Sequence, residues 1–242
     1  MRLALVHARA MTVELVRFPA YVVPTVLLPT VFFLFFVSPG PPAEATARMA
    51  TFAGFAVIGV AFFQFGVGIA ADRISPWESY LRTLPVGPGV RLGARLLSAA
   101  VFAVATAALL VVTAVALSSA ALGPSRWLGL AAALLLGTIP FALLGIALGY
   151  WAPVKAALPL ANLLYLVLAY AGGLWTRPSA LPTGVREVSG LLPTRALSDG
   201  LVAVALRGEL DARAWAALAF FAAVFAVLAV AGYRRDEGRR FS

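Results

Sequence analysis

Charge is scarce in this chain. Of its 242 residues only 12% are Asp, Glu, Lys or Arg, while 62% are apolar. A soluble globular domain carries about 25% charged and about 45–50% apolar residues. Too little polar side chain is present to wet a globule, so lipid must cover part of the surface. Cysteine is absent, which excludes disulfides and thiolate metal sites. The one histidine, His7, stands near the N-terminus, and a multi-histidine metal centre is excluded with it. Lysine is nearly missing too: Lys155 is the single one among 19 basic residues. The arginines are spread between apolar stretches rather than gathered on one face. The net charge of +9 therefore reads as membrane flanks and not as a nucleic-acid surface. Abundant Ala and Arg with so little Lys point to a high-GC bacterial genome.

Two further absences concern chemistry. No G-x-x-x-x-G-K-[ST] phosphate loop occurs, and Lys155 follows Pro153-Val154 instead of a glycine-rich turn. Nothing has the make-up of a Ser/His/Asp triad or of a metal-ligand spacing. Ion-driven carriers bury ionisable residues in the membrane to hold the coupling ion. Here no Asp, Glu, Lys or Arg falls at mid-membrane depth, and Gln64 and Asn162 are the strongest polar candidates. The ordinary role of each of these amides is an interhelical hydrogen bond, worth about 1 kcal/mol in a membrane. If the chain does transport work, another subunit supplies the energy.

What the chain does have is long apolar runs. About 20 apolar residues are needed to cross roughly 30 Å of hydrocarbon as a helix. Six stretches qualify, at about 18–37, 50–71, 96–117, 127–150, 158–175 and 214–233, none with an interior charge. No cleaved leader is expected, because Arg2, Arg9, Glu14 and Arg17 interrupt the N-terminal stretch and the first long apolar run starts at Phe18. Assigned to alternate sides, the connections place twelve basic residues with the two termini and seven opposite, while the acidic residues divide evenly. Both termini are thereby predicted to be cytoplasmic. No internal repeat or linker appears, and residues 1–242 read as one transmembrane domain.

Other segments read as surface or half-inserted helices. Residues 2–16 carry Leu3, Val6, Ala10 and Val13 at helical spacing, as a helix lying on the inner membrane surface would. In the connection 72–95, Trp77, Tyr80, Leu81 and Leu84 share one helical face, with Glu78 and Arg82 as an i, i+4 pair on another. Ser75 is the predicted cap, Pro76 the first helical residue and Pro85 the stop. The connection 176–213 predicts a helix at 185–192, a break at Pro193 and a second helix at 196–206. Such half-apolar pieces suit helices that dip into the outer leaflet without crossing. Pro19, Pro24 and Pro29 should bend or loosen the first span, Pro140 the fourth, and Pro159 should sit harmlessly in the first turn of the fifth. Gly145-x-x-x-Gly149 reads either as a close-contact helix seam or as a chance match in an Ala/Gly-rich helix.

Taken together, the six-span plan, the preceding surface helix, the stretch Asp72-Arg73-Ile74-Ser75-Pro76-Trp77-Glu78-Ser79-Tyr80-Leu81-Arg82-Thr83-Leu84-Pro85 and the proline-broken segment Leu191-Leu192-Pro193-Thr194 with Asp199-Gly200-Leu201 form a pattern. The chain resembles, over essentially its whole length, the permease subunits of type-2 ABC exporters. It departs from the frequent Gly-Thr before the glutamate, having Pro76-Trp77 there.

The resemblance implies an all-α polytopic protein of the bacterial inner membrane. It further implies a second permease copy, identical or related, and a separate ABC ATPase that binds ATP and Mg, with no cofactor in this chain. It implies a coupling helix at about 75–84 that docks into the ATPase, with Trp77, Tyr80 and Leu81 as an apolar plug and Ser75, Glu78 and Arg82 as polar contacts. The alternative for that helix is one resting on the inner leaflet. Spans two and five would line a path for hydrophobic or amphipathic cargo, making Phe55, Phe62, Phe63, Phe65, Gln64 and Asn162 candidate lining residues. Ordinary packing or lipid contact is the competing role for the phenylalanines. The rival readings of the whole chain are a membrane-embedded lipid-modifying enzyme and a non-transporting membrane assembly protein.

Overall fold

The computed structural model describes residues 2–36, 40–76 and 88–238, and every regular element among them is helical. The N-terminal helix α1 spans Arg2–Val16, as its apolar spacing predicts. It stops where Phe18 leaves helical geometry (φ −107°, ψ 88°) and Pro19 opens the next helix. A proline at the first helical position loses no hydrogen bond, because its N–H would be unpaired there anyway. The second helix, α2, runs through Pro19–Val22, a π-helical turn at Val23–Leu27, and Leu28–Phe36. Pro24 lacks an N–H and crowds the carbonyl four residues earlier, and the widened turn lies at that proline.

Helix α3 covers Pro42–Asp72 and contains a second π-helical stretch, Phe62–Val67. Helix α4 is Pro88–Leu117, α5 is Pro124–Trp151 and α6 is Val154–Ala171. A 3-10 turn at Pro178–Ala180 leads to the short α7, Thr183–Ser189, then α8, Pro193–Arg207, and α9, Ala212–Gly238. Among the described residues, five helices are long and apolar enough to cross a membrane: Pro42–Asp72, Leu92–Leu117, Pro124–Trp151, Val154–Ala171 and Ala212–Glu237. Within the expected span at 18–37, the described apolar part of α2 is shorter than these five. That part, Val23–Phe36, extends about 21 Å at 1.5 Å per residue, against roughly 30 Å of hydrocarbon.

Helix α3 is the axis of the bundle. It is 83% buried over its apolar window, whereas α9 is only 17% buried. Small residues make this possible: Ala50, Ala53, Gly54, Ala56, Gly59 and Ala61 let α4, α5 and α8 close in around it. Helix α1 lies along α4, and α9 lies along α5. Large apolar side chains such as Leu128, Leu163, Phe220 and Val227 point outward, which suits a surface met by lipid.

The fifth expected span is displaced. The helix begins at Val154, ahead of the expected start at 158, so Pro159 is its sixth residue and removes an interior hydrogen bond instead of sitting harmlessly in the first turn. It ends in a Schellman motif at Gly173 (φ 76°), with Leu174 N–H donating to Ala169 O at 3.0 Å and Gly173 N–H to Tyr170 O at 3.0 Å. In the connection that follows, Pro193 is the first residue of α8 instead of merely a break, and α8 ends at Gly208 (φ 77°), whose N–H returns to Val204 O. Helix α8 is wedged against α3, α5 and α9, with Leu197, Leu201 and Ala205 fully buried.

Candidate coupling and translocation site

The end of α3 is locked to three other helices. Asp72 is ion-paired with Arg95 of α4, whose guanidinium also donates to the main-chain oxygen of Gln64 at 2.6 Å. The Gln64 carbonyl lies in the π-helical stretch, where the regular ladder is widened, and Gly68 leaves the room that Arg95 fills. Next in sequence, Arg73 turns the other way. Its Nε pairs with Asp236 of α9 at 2.8 Å, and another guanidinium nitrogen donates to Gly149 O at 3.1 Å and Ala152 O at 3.0 Å. Those are terminal carbonyls of α5, which have no partner within their own helix and favour a cation. Tyr150 against Tyr233, Trp151 Nε1–H donating to Leu228 O at 2.9 Å, and Arg235 over the Trp151 ring bind α5 to α9 at the same end. Ser75 follows, half-buried, with its N–H on Asp72 O at 3.1 Å. Trp77, Glu78, Tyr80, Leu81 and Arg82 lie outside the described residues.

The middle of α3 carries the aromatic candidates. Phe55 stacks on Tyr165 of α6 with centroids 4.5 Å apart and planes 2° from parallel, and the Tyr165 hydroxyl donates to Phe55 O at 3.1 Å. Phe62 and Phe63 approach the same ring at 6.3 and 5.9 Å. The structure thus brings Phe55, Phe62 and Phe63 together around Tyr165, at the contact of spans two and five. Phe55 and Phe62 are fully buried in the single chain and Phe63 is half-buried. Phe65 faces α5 instead, against Gly145. Gln64 is buried with its Nε2 unpartnered, as is the Ser98 hydroxyl on the neighbouring helix α4. Asn162, half-buried on α6, hydrogen-bonds its own helix at Leu158 O, 3.2 Å.

At the opposite end, hydroxyls close off α6. Thr194 Oγ1 donates to Leu168 O, Ser189 Oγ to Ala171 O, both at 2.6 Å, and Ser198 Oγ to Gly173 O at 3.2 Å. Glu44, in the first turn of α3, holds Arg48 at 2.7 Å and also Arg177. Among the described residues, no group of three or more His, Cys, Asp or Glu is placed to hold a metal ion.

Reading the chain one residue at a time missed Arg73–Asp236 and Tyr165. The first pair is 163 positions apart, and no local pattern announces it. Tyr165 gives one signal in the sequence: a tyrosine mid-way through an apolar span must find an acceptor for its hydroxyl.

Comparison with known proteins gives a distant relative. No family model matches the chain, and no solved structure matches it. The chain is 22% identical over 135 residues to a Bacillus subtilis protein named "Putative transport permease YvfS". The match takes in 53% of this chain and 55% of the relative, so it spans about half the length of each. The relative and the apolar helices together support a multi-pass membrane protein of the transport-permease type.

Proposed function

We propose that this chain is the permease subunit of an ATP-driven ABC exporter in the bacterial inner membrane. In this reading the helix at 19–36 is the sixth span, α1 lies on the cytoplasmic face, α7 and α8 cap the outer end, and both termini are cytoplasmic. Two permease copies enclose the path, and a hydrophobic or amphipathic cargo leaves outward by alternating access. A separate ATPase, loaded with ATP and Mg, docks on the segment 75–84, with Trp77, Tyr80 and Leu81 as the plug.

One observation carries this reading: the chain leaves the bundle toward that segment through Asp72 and Arg73, and the two side chains grip different helices. A push on the segment is then passed to α4, α5 and α9 at once instead of being lost in a loose loop. The contact of Phe55, Phe62 and Phe63 with Tyr165 is the place where spans two and five must separate for cargo to pass.

The chain contains no cysteine, so single-cysteine variants report without background. Glu78→Cys, labelled with a maleimide–benzophenone and photolysed in membranes of the native host, is expected to cross-link to a cytoplasmic ATPase subunit, while Phe220→Cys on the exposed flank of α9 is not. Equal cross-linking from both positions, or none from Glu78→Cys, rejects the docking assignment.

A further inference from the structure

In the topology proposed above, seven arginines fall on the side opposite the termini, where the bias of membrane proteins runs against basic residues. Three of them converge. Arg186 of α7, Arg195 of α8 and Arg213 of α9 line one cavity of about 350 Å³, together with Asp199 and Asp211. The two carboxylates are already engaged. Asp199 pairs with Arg195 at 2.8 Å, and Asp211 Oδ1 accepts the N–H groups of Arg213 and Ala214 at 3.0 and 3.1 Å, capping α9. Asp211 is also 3.9 Å from Arg207. Among the described residues, Arg186 and Arg213 have no carboxylate partner, so the cavity keeps an excess of positive charge. Its floor is of small residues, Ala196, Ala214 and Ala217, which leaves the guanidinium groups room to close on a ligand.

The surroundings say what kind of anion fits. Below the cavity, Ala217 is followed on the same face of α9 by Phe220, Val224 and Val227, and Phe220 and Val227 are 64% and 68% exposed. Beside it, Leu191 is 75% and Val188 55% exposed. A cationic pocket that opens onto an apolar stripe along a membrane-crossing helix matches a molecule with an anionic head and a hydrocarbon tail. Arginine suits the head, because its planar fork binds phosphate oxygens in pairs.

We propose that this cavity binds the phosphodiester head of an anionic glycerophospholipid, with the acyl chains lying along Phe220, Val224 and Val227 of α9. The proposal rests on the membrane reading of the fold and not on the ATPase, so lipid binding and ATPase association fail independently.

The test is native mass spectrometry of the purified full-length chain, released from detergent after incubation with phosphatidylglycerol, phosphatidylcholine or phosphatidylglycerol plus millimolar inorganic phosphate. The wild type is expected to retain phosphatidylglycerol about tenfold more tightly than phosphatidylcholine. Arg186→Gln with Arg213→Gln should abolish that preference. Arg186→Lys with Arg213→Lys, which keeps both charges, should restore much of it and guards against a folding defect in the first variant. Equal retention by wild type and the glutamine variant overturns the proposal, and so does equal binding of the two lipids. Displacement of the lipid by inorganic phosphate overturns it as well, since the cavity would then take a soluble anion.

Discussion

Replacing Gly145 and Gly149 together by alanine drives two methyl groups into the backbone of α3. A Cβ at Gly149 would stand 2.8 Å from Ile69 Cβ and 2.9 Å from the carbonyl oxygens of Gly66 and Phe65. One at Gly145 would stand 2.9 Å from Ala61 O and 3.2 Å from Phe65 Cβ. Most of these neighbours are main-chain atoms of a buried helix, which cannot swing aside as a side-chain tip can. Overpacking of this kind costs about 1–3 kcal/mol per site. Alanine regains about 0.5–1 kcal/mol per site from its better helix propensity. The net for the pair is about 0–5 kcal/mol. At a middle value near 2.5 kcal/mol, the unfolding midpoint of a chain this size falls by about 5–10 °C. The assay is thermal unfolding of the detergent-solubilised protein, followed by light scattering and tryptophan fluorescence. Gly93→Ala is the matched control, since a Cβ there meets nothing within 4 Å and the substitution should raise the midpoint slightly. If the double variant melts at or above the wild type, as Gly93→Ala is expected to, the seam between α3 and α5 is not the close contact described.

Two other perturbations follow from the geometry. Arg73→Gln and Asp236→Asn should each cost about 2 kcal/mol, and their double-mutant cycle should show a coupling of about 1 kcal/mol or more; additive losses would mean that the pair does not act as a unit. Tyr165→Phe keeps the stack on Phe55 and loses only the buried hydroxyl bond, about 1 kcal/mol, whereas Tyr165→Ala opens a cavity worth about 3–5 kcal/mol. Equal losses in the two variants would show that ring packing contributes nothing at that contact.

Much of the fold is legible because spans are written as run length. The helices at α3, α4, α5 and α9 cover the expected apolar stretches, and α1 coincides with its predicted extent. The expectations slipped where apolarity and helicity part company. Hydropathy starts the fifth span at 158, yet Val154, Lys155 and Ala156 already form its first turn. Helix α8 carries too few large apolar residues to read as an interior element, but Leu197 and Leu201 rest over Gly137 and Gly54, which accept them. Gly145 and Gly149 were visible as a spacing, and only the fold names their partners as Ala61, Phe65, Gly66 and Ile69. Phe55, Phe62 and Phe63 stand close together in the sequence, whereas Tyr165, the ring they meet, lies 110 residues beyond Phe55 on another helix. The ion pairs at Asp72 and Arg73 were out of reach, since each joins charges whose separation in sequence carries no period.

The measurement closest to the central claim is ATP hydrolysis by the chain captured gently from native-host membranes, with Trp77→Ala plus Glu78→Arg as the comparison. The account predicts that the wild type brings down a cytoplasmic ATPase and its activity, and that the double variant, equally abundant and folded, brings down neither. Capture of the wild type without any ATPase, or equal activity with both proteins, would contradict it.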